Sequence, residues 1–387
     1  MTWRRILIKN ARVFGEWLEA TGKRIEAFDR LATALEVFLM DYVLGDGPGT
    51  SASASCAAFA NALPLVLEQC DESIYDEPLV AEAYAFVHLL ERYRRFTQVL
   101  DELLETGILP MRDHGIRVLD VGSGPGPALY ATADFYQQLR EFAEAHGIPE
   151  LNTPPPTLHA VEFSPRMSHV MHLLSELSQR DGPFGATLHD FEGVNFDELR
   201  LRSRNRIAAQ LEQDLEWEVT QWDWQDEWRY NLGIFSYYLT RDGMVEALSE
   251  ELGGLFRSMR AGGVVVTIGA VAGRYRKVYK GVEKIAKREL MRRNKRAPTR
   301  VFCSYTDPYA ARIKFMYDKV WKHLETRLLD TTALKKRLPA DLWNPAAPLH
   351  GPNAFGLRVL RRVDIKPVGH SWYKAYKRLR KRRSVRT

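Results

Sequence analysis

Asp120-Val121-Gly122-Ser123-Gly124-Pro125-Gly126 places a carboxylate just ahead of three glycines in alternate positions. Val118, Leu119 and Val121 supply the apolar run of a buried strand, and the glycines let backbone amides approach a ligand with no side chain in the way. Such a loop between a strand and a helix is a seat for a small molecule. The dinucleotide fingerprint Gly-x-Gly-x-x-Gly, counted from Gly122, puts Pro127 where its third glycine should stand, and Asp120 would bring negative charge to a pyrophosphate. A nicotinamide dinucleotide is thereby disfavoured. A glycine-rich turn that binds nothing is the plainer alternative.

In the order Asp-x-Gly-x-Gly-x-Gly, the stretch resembles motif I of class I S-adenosylmethionine-dependent methyltransferases. The resemblance spans about residues 115–270 and implies S-adenosylmethionine as cofactor. Gly122, Ser123, Gly124 and Gly126 would cradle its methionyl part, and Asp120 would help to hold its ammonium group and the loop. A second contact is expected where the second strand ends. Glu162 stands there, followed by Phe163 and Ser164-Pro165, and its carboxylate could accept both ribose hydroxyls; an ordinary exposed glutamate is the alternative. The adenine would meet an acid and an apolar neighbour after the third strand. Asp223, with Trp222 and Trp224 beside it, fits that place, and Asp190 is its rival.

The fourth strand, ending Ile234-Phe235-Ser236-Tyr237-Tyr238-Leu239, would bring the acceptor to the methyl group. Ser236 and Tyr237 could line the cofactor, and Tyr238 could orient an acceptor. Tyr237 and Tyr238 are thus the candidate catalytic residues, with a core role for each as the competing reading. The Asn/Asp-Pro-Pro-aromatic motif of exocyclic-amine methyltransferases and the Pro-Cys nucleophile of pyrimidine C5 methyltransferases are both missing here. Methyl transfer needs an in-line nucleophile, and a base only when that nucleophile starts protonated. No His/Asp pair stands out by spacing, so no general base is assigned. His159 reads as a strand residue with a satisfied ring nitrogen.

These residues need a scaffold of alternating strands and helices. Helical spacing runs through residues 1–41, 56–71 and 78–106, with Gly45–Ser55 a small-residue linker or mobile loop. A strand at 116–121 leads into the glycine loop, and Pro127–His146 forms the first crossover helix. Residues 148–157, with four prolines, read as an extended surface connection. The second strand is Leu158–Phe163, followed by a helix to about Gln179. Residues 181–215 read as an insertion, Trp217–Trp222 as the third strand, Leu232–Tyr237 as the fourth, Met244–Met259 as a helix and Val264–Gly269 as the fifth strand. Arg274–Arg296 reads as a basic helix, Thr299–Tyr305 as a strand, Pro308–Leu329 as a helix and Ala354–Val363 as the closing strand. The expected fold is α/β, a doubly wound and mostly parallel sheet. Its expected divisions are a helical layer or lid at 1–110, a cofactor-binding core at 111–270, a basic helical insertion with closing strands at 271–365, and a basic tail at 366–387.

At 387 residues the chain can bury a sizeable core. No apolar run approaches the ~20 residues that span a bilayer, and Met1–Ala20 has no continuous signal-peptide core, so the cytoplasm is the expected location. Cys56, Cys70 and Cys303 are too few and too far apart for a disulfide framework or a metal cluster, and no metal is expected. Charge is distributed unevenly. Residues 271–387 hold 32 of the 55 Lys+Arg and 8 of the 49 Asp+Glu, giving +24 there and −18 over residues 1–270. That asymmetry points to an anionic partner, with nucleic acid ahead of a membrane surface. Neutralisation of the acidic part by the basic part within one fold is the alternative. From Ser371, a helix carrying Trp372, Tyr373, Tyr376 and Leu379 along one face could lie on phosphates.

Val-Gly-Ser-Gly-Pro-Gly, Phe-Ser-Pro-Arg-Met and Phe-Ser-Tyr-Tyr-Leu are also similar to segments of the methyltransferase-like proteins associated with the small ribosomal subunit. Members of that family carry a cysteine-rich metal-cluster motif that this chain lacks. The function implied is methyl transfer from S-adenosylmethionine to RNA docked by the basic C-terminal third. Methylation of a small molecule is the second reading, and a noncatalytic RNA-binding or assembly factor that keeps the cofactor pocket is the third.

Overall fold

The computed structural model describes residues 3–45, 51–68, 77–113, 115–179, 229–271, 273–303, 308–328, 330–349 and 354–363. Four helices come first: α1 (Trp3–Thr21), α2 (Lys23–Val37), α3 (Ala52–Glu68) and α4 (Val80–Glu105). Strand β1 (Arg117–Val121), helix α5 (Pro127–His146), strand β2 (Thr157–Val161) and helix α6 (Pro165–Leu177) follow. Next are β3 (Tyr230–Ser236), α7 (Asp242–Ala247), α8 (Ser249–Ser258) and β4 (Met259–Gly269). The chain continues with α9 (Gly273–Arg288), the short strands β5 (Met291–Arg293) and β6 (Arg300–Phe302), α10 (Tyr309–Arg327), α11 (Thr332–Arg337) and β7 (Ala354–Arg362).

One seven-stranded sheet organises these elements in the order β2-β1-β3-β4-β7-β5, with β6 also pairing β7. The first four strands are parallel, and β7 runs antiparallel to β4, β5 and β6. Successive strand residues face opposite sides, and each side has its own core. Val118, Leu158, Ala160, Leu232, Ile234 and Val266 join a cluster with residues of α1 to α6 and α10. Leu119, Val121, Val161, Phe235 and Val265 join a second cluster with α7, α8 and α9. Helices on both faces of a mostly parallel sheet make the doubly wound α/β fold that the sequence implies.

Local chemistry explains where the crossover helices begin. α5 starts with Pro127 at its first turn, where a missing N–H costs nothing, and ends on Gly147 in the left-handed conformation. α6 is capped by the Ser164 side chain, which accepts from the Met167 N–H at 3.3 Å, and has Pro165 at its first position.

The structure differs from the sequence reading in four places. Residues 52–55 belong to α3 rather than to a linker. The 148–157 connection is not wholly at the surface, since Leu151 and Thr153 are buried. The helix read over Met244–Met259 is two helices meeting at Leu248, and Met259 already begins β4. The basic helix stops at Arg288, and Met291–Arg293 forms a strand on β7. Its two exposed arginines suit a sheet edge, where charge discourages further pairing, and in sequence they look like more of the helix's polar face. The expected strand Trp217–Trp222, the insertion at 181–215, the adenine-binding candidates Asp223 and Trp224, the rival Asp190, Cys70 and the tail at 366–387 lie outside the described residues.

Candidate functional site

The glycine loop sits at the carboxyl end of β1, between β2 and β3, where strand order reverses and where doubly wound sheets place their ligands. Its N–H groups are directed differently from the sequence expectation. Those of Gly122 and Ser123 donate to the Val161 carbonyl at 2.8 and 3.2 Å. The Gly124 N–H donates to Oε2 of Glu162 at 2.7 Å, and the Gly126 N–H to the Ser123 carbonyl at 3.0 Å. Pro125 and Pro127 have none to give. Every N–H from Gly122 to Gly126 therefore serves the protein, and the loop is tied to the end of β2 rather than offered to an anion. Gly122 and Gly124 have φ of 67° and 55°, in the left-handed region that side chains avoid. A Cβ on Gly122 would overlap the ring of Tyr238, which covers it.

Two acids lie behind the loop. Glu162, 4% exposed, accepts from the N–H groups of Gly124 and of Ser164, the latter at 3.0 Å, so it pins the loop and the start of α6 together. Asp120, 1% exposed, has an oxygen (Oδ1) that is buried without a hydrogen-bond partner among the described residues. Burial, and after it the charge of Glu162, pushes the Asp120 carboxyl well above the usual carboxylate range. Left to itself, Asp120 holds its proton more tightly than a solvated aspartate does, and a cation placed beside it would favour the carboxylate. Ser123 also has a buried hydroxyl with no partner among the described residues, and Phe163 is exposed at the end of β2.

Helix α4 supplies a wall that the sequence reading did not identify. Tyr84 approaches the loop, its Cε1 3.6 Å from where a Cβ on Gly124 would stand. Arg92 donates to the Tyr84 hydroxyl and lies over the rings of both Tyr84 and Tyr237, 4.9 Å from each centroid. Arg95 donates to the Tyr237 hydroxyl at 2.6 Å and pairs with Glu91. Tyr237 follows β3 with φ of 60°, an uncommon backbone conformation for an aromatic residue and one that concentrates at functional sites.

A cavity of about 270 Å³ opens beside Tyr237, between α4, α10 and the segment 339–349. Val87, Ile313, Tyr317, Leu342 and Leu349 give it apolar walls, and His88, Glu91, Arg92, Arg95 and Asp341 give it a polar side. Burial, then Arg92 and Arg95, holds the His88 imidazole well below its usual range. At 4.0 Å from Glu91, His88 is therefore a neutral neighbour rather than an ion-pair partner at neutral pH. The only sequence signal for this wall is spacing: Tyr84, His88, Glu91, Arg92 and Arg95 fall on one side of α4 at helical intervals.

The other candidates divide clearly. Asp120, Gly122, Ser123, Gly124, Gly126, Glu162 and Phe163 gather at the loop, and Ser236, Tyr237 and Tyr238 stand at the neighbouring end of β3. His159 lies apart from them, its Nδ1 2.9 Å from the Tyr230 hydroxyl, so its ring nitrogen is satisfied as expected. Among the described residues, no cluster of His, Cys, Asp or Glu could hold a metal ion, and Cys56 and Cys303 are buried. No described helix is long and apolar enough to cross a membrane.

Part of the C-terminal positive charge is used inside the fold. Arg312 pairs with Asp29 and Glu36, Lys319 with Glu36, and Arg337 with Glu68, each linking the basic third to the acidic N-terminal helices. On α9, by contrast, Arg276, Lys280, Lys284, Lys287 and Arg288 are exposed.

No family model matches the chain, and no curated protein matches it. Several solved structures do, all distantly. The N-methyltransferase NodS from Bradyrhizobium japonicum WM9, in complex with S-adenosyl-l-homocysteine, is 13% identical over 79% of this chain and 100% of its own, with a TM-score of 0.33. A putative sarcosine dimethylglycine methyltransferase from Galdieria sulphuraria is 11% identical over 79% of this chain and 98% of its own, with a TM-score of 0.36. A TehB-like SAM-dependent methyltransferase from Corynebacterium glutamicum ATCC 13032 Kitasato is 11% identical over 74% and 100%, with a TM-score of 0.32. At these scores the likenesses carry no weight for function, and the site is read from this chain's own atoms.

Proposed function

We propose that the chain binds S-adenosylmethionine at the glycine loop and transfers its methyl group to a small, largely apolar acceptor in the cavity beside Tyr237. The observation that carries the reading is the buried acid Asp120 behind a loop that presents no N–H to an anion. Two buried carboxyl groups with an orphaned oxygen suit a ligand bearing positive charge and repel a pyrophosphate. The residues fit the cofactor on that ground, since its amino-acid end is cationic at the ammonium and its sulfur is a sulfonium. Asp120 would face the ammonium, Glu162 the ribose, Ser123 the methionyl part, and Gly124 would leave room between the loop and Tyr84. The bound cofactor supplies an electrophilic methyl group.

What the chain contributes is placement. Tyr237 and Tyr238 close the end of β3, and α4 lays Tyr84 and Arg92 over the loop, which keeps water from the reacting atoms. The apolar walls select an acceptor of modest size, because about 270 Å³ lies at the lower end of small-molecule sites. Neutral His88, which shares that wall with Glu91 and Asp341, is able to receive a proton from an acceptor.

RNA as acceptor is the second reading, favoured by the exposed cations of α9. Incubation with methyl-labelled S-adenosylmethionine and either a metabolite extract or total RNA separates the two. Label in the small-molecule fraction supports the proposal. Label in RNA alone moves the acceptor to the basic surface, and cofactor binding with label in neither fraction favours a noncatalytic role.

A further inference from the structure

The opposite end of the sheet holds a second cavity, of about 360 Å³, with different chemistry. Arg4 of α1, Arg112 of the loop after α4, Arg260 of β4 and Arg361 of β7 line it, with Asp113 and Asn231. β1 and β3 begin at this end, at Arg117 and Tyr230, and run away from it toward the glycine loop. Five residues of strand, about 16 Å at ~3.3 Å per residue, separate the two places.

One wall is a departure from regular strand geometry. Between the pairs Tyr230–Met259 and Leu232–Val264, β3 advances two residues while β4 advances five, so Arg260–Gly263 leaves the ladder as a bulge. Gly262 has φ of 77°, and a Cβ on Gly263 would lie 2.9 Å from the Arg260 carbonyl oxygen, so this bulge requires both glycines. Nε of Arg361 donates to the Gly262 carbonyl at 3.4 Å and links β7 to the bulge. Oδ1 of Asn231 accepts the Arg117 N–H at 2.9 Å, which leaves its amide N–H groups as donors for the cavity.

Four arginines thus line one cavity with a single carboxylate among its described lining residues, Asp113. Arg4, Arg112 and Arg361 form no ion pair with any described residue. Like charges gathered in one concave place repel one another, and an anion bound among them relieves that repulsion. Guanidinium forks match the oxygens of carboxylates and phosphates alike. Four of them offer more donors than one carboxylate can accept, and a phosphate or diphosphate supplies enough oxygens. We propose that this cavity binds a small phosphate-bearing anion through Arg4, Arg112, Arg260 and Arg361, separately from the methyl-transfer site.

Calorimetric titration of the full chain with inorganic pyrophosphate tests this, alongside Arg112→Ala/Arg361→Ala and the control Lys336→Ala, which changes an exposed lysine outside the cavity. The expected result is saturable binding of one pyrophosphate per chain, weakened at least tenfold in the double variant and unchanged in the control. Circular dichroism melts and S-adenosylhomocysteine binding should stay as in the parent, which shows the variant to be folded and the cofactor site to be independent. Absence of saturable binding, or equal affinity in the double variant, as the cationic tail would give, overturns the proposal. Absence of S-adenosylhomocysteine binding in the parent chain, with saturable pyrophosphate binding there, would refute the methyl-transfer reading and leave this one standing.

Discussion

Nη1 of Arg95 donates a hydrogen bond of 2.6 Å to the hydroxyl of Tyr237, joining helix α4 to the residue that follows β3. Arg95 is 4% exposed and its charge is balanced by Glu91 on the same helix, so the bond is anchored rather than floating in solvent. Tyr237→Phe removes the hydroxyl and keeps the ring under Arg92. It should cost about 1 kcal/mol of stability and lower turnover more than cofactor affinity, which steady-state kinetics and calorimetry together would show.

Arg95→Met should be harsher, because it leaves Glu91 uncompensated inside the wall of the cavity. Breaking a partly buried pair from one side costs about 1–3 kcal/mol. Adding Glu91→Gln should recover most of the loss, and denaturant melts of the two single variants and the double variant measure the coupling.

Asp120 sets function against stability. Its carboxyl is raised by burial, so the folded chain holds a proton that the unfolded chain releases above the ordinary aspartate value. Stability therefore falls as pH rises from that value toward the raised one. Asp120→Asn removes the dependence and should stabilise the chain at neutral pH. Cofactor affinity in the parent should rise over the same window as the proton leaves, and should be lost in the variant. A variant that is less stable at neutral pH and binds normally would contradict this account of Asp120.

His159 gives a second pH signature, of opposite sign. Burial, with Arg117 nearby, lowers its pKa to about 4. The stability it contributes is present above the ordinary histidine value and is lost as pH falls from about 6.5 toward 4, on the order of 3 kcal/mol. His159→Gln should flatten that part of the unfolding profile, read as the denaturant midpoint against pH.

The glycine loop and strands β1 to β4 were legible because their signals are local. Val118 to Gly126 carries its strand, its turn and its acid in nine consecutive residues, and Pro127 and Ser164-Pro165 mark helix starts by chemistry that acts within one turn. The direction of the loop's N–H groups was not legible, since it depends on Val161 and Glu162 arriving from another strand. Nor was the wall of α4. Tyr84, His88, Arg92 and Arg95 look like one polar face of a long helix until α10 and the segment 339–349 close the other side of the cavity. Met291–Arg293 is not legible as a strand because two arginines on an edge strand are indistinguishable in composition from the end of the basic helix before them. The charge asymmetry was visible, but its partial neutralisation by Asp29, Glu36 and Glu68 appears only when the two ends of the chain are brought together.

Gly122→Ala tests the loop itself. The left-handed φ and the Tyr238 ring both oppose a side chain there, and the strain alone is of order 1–2 kcal/mol. Cofactor affinity should fall with stability, because Tyr238 must move to admit the methyl group, and a thermal melt beside a binding isotherm shows both.

The central claim is that a positively charged donor is held against Asp120 at the end of β1. Calorimetry with S-adenosylmethionine on the parent chain and on Asp120→Asn tests it most directly. The account predicts one site per chain in the parent and at least a hundredfold weaker binding in a variant whose melt is no lower. No heat with the parent, or the same affinity in both proteins, would contradict it.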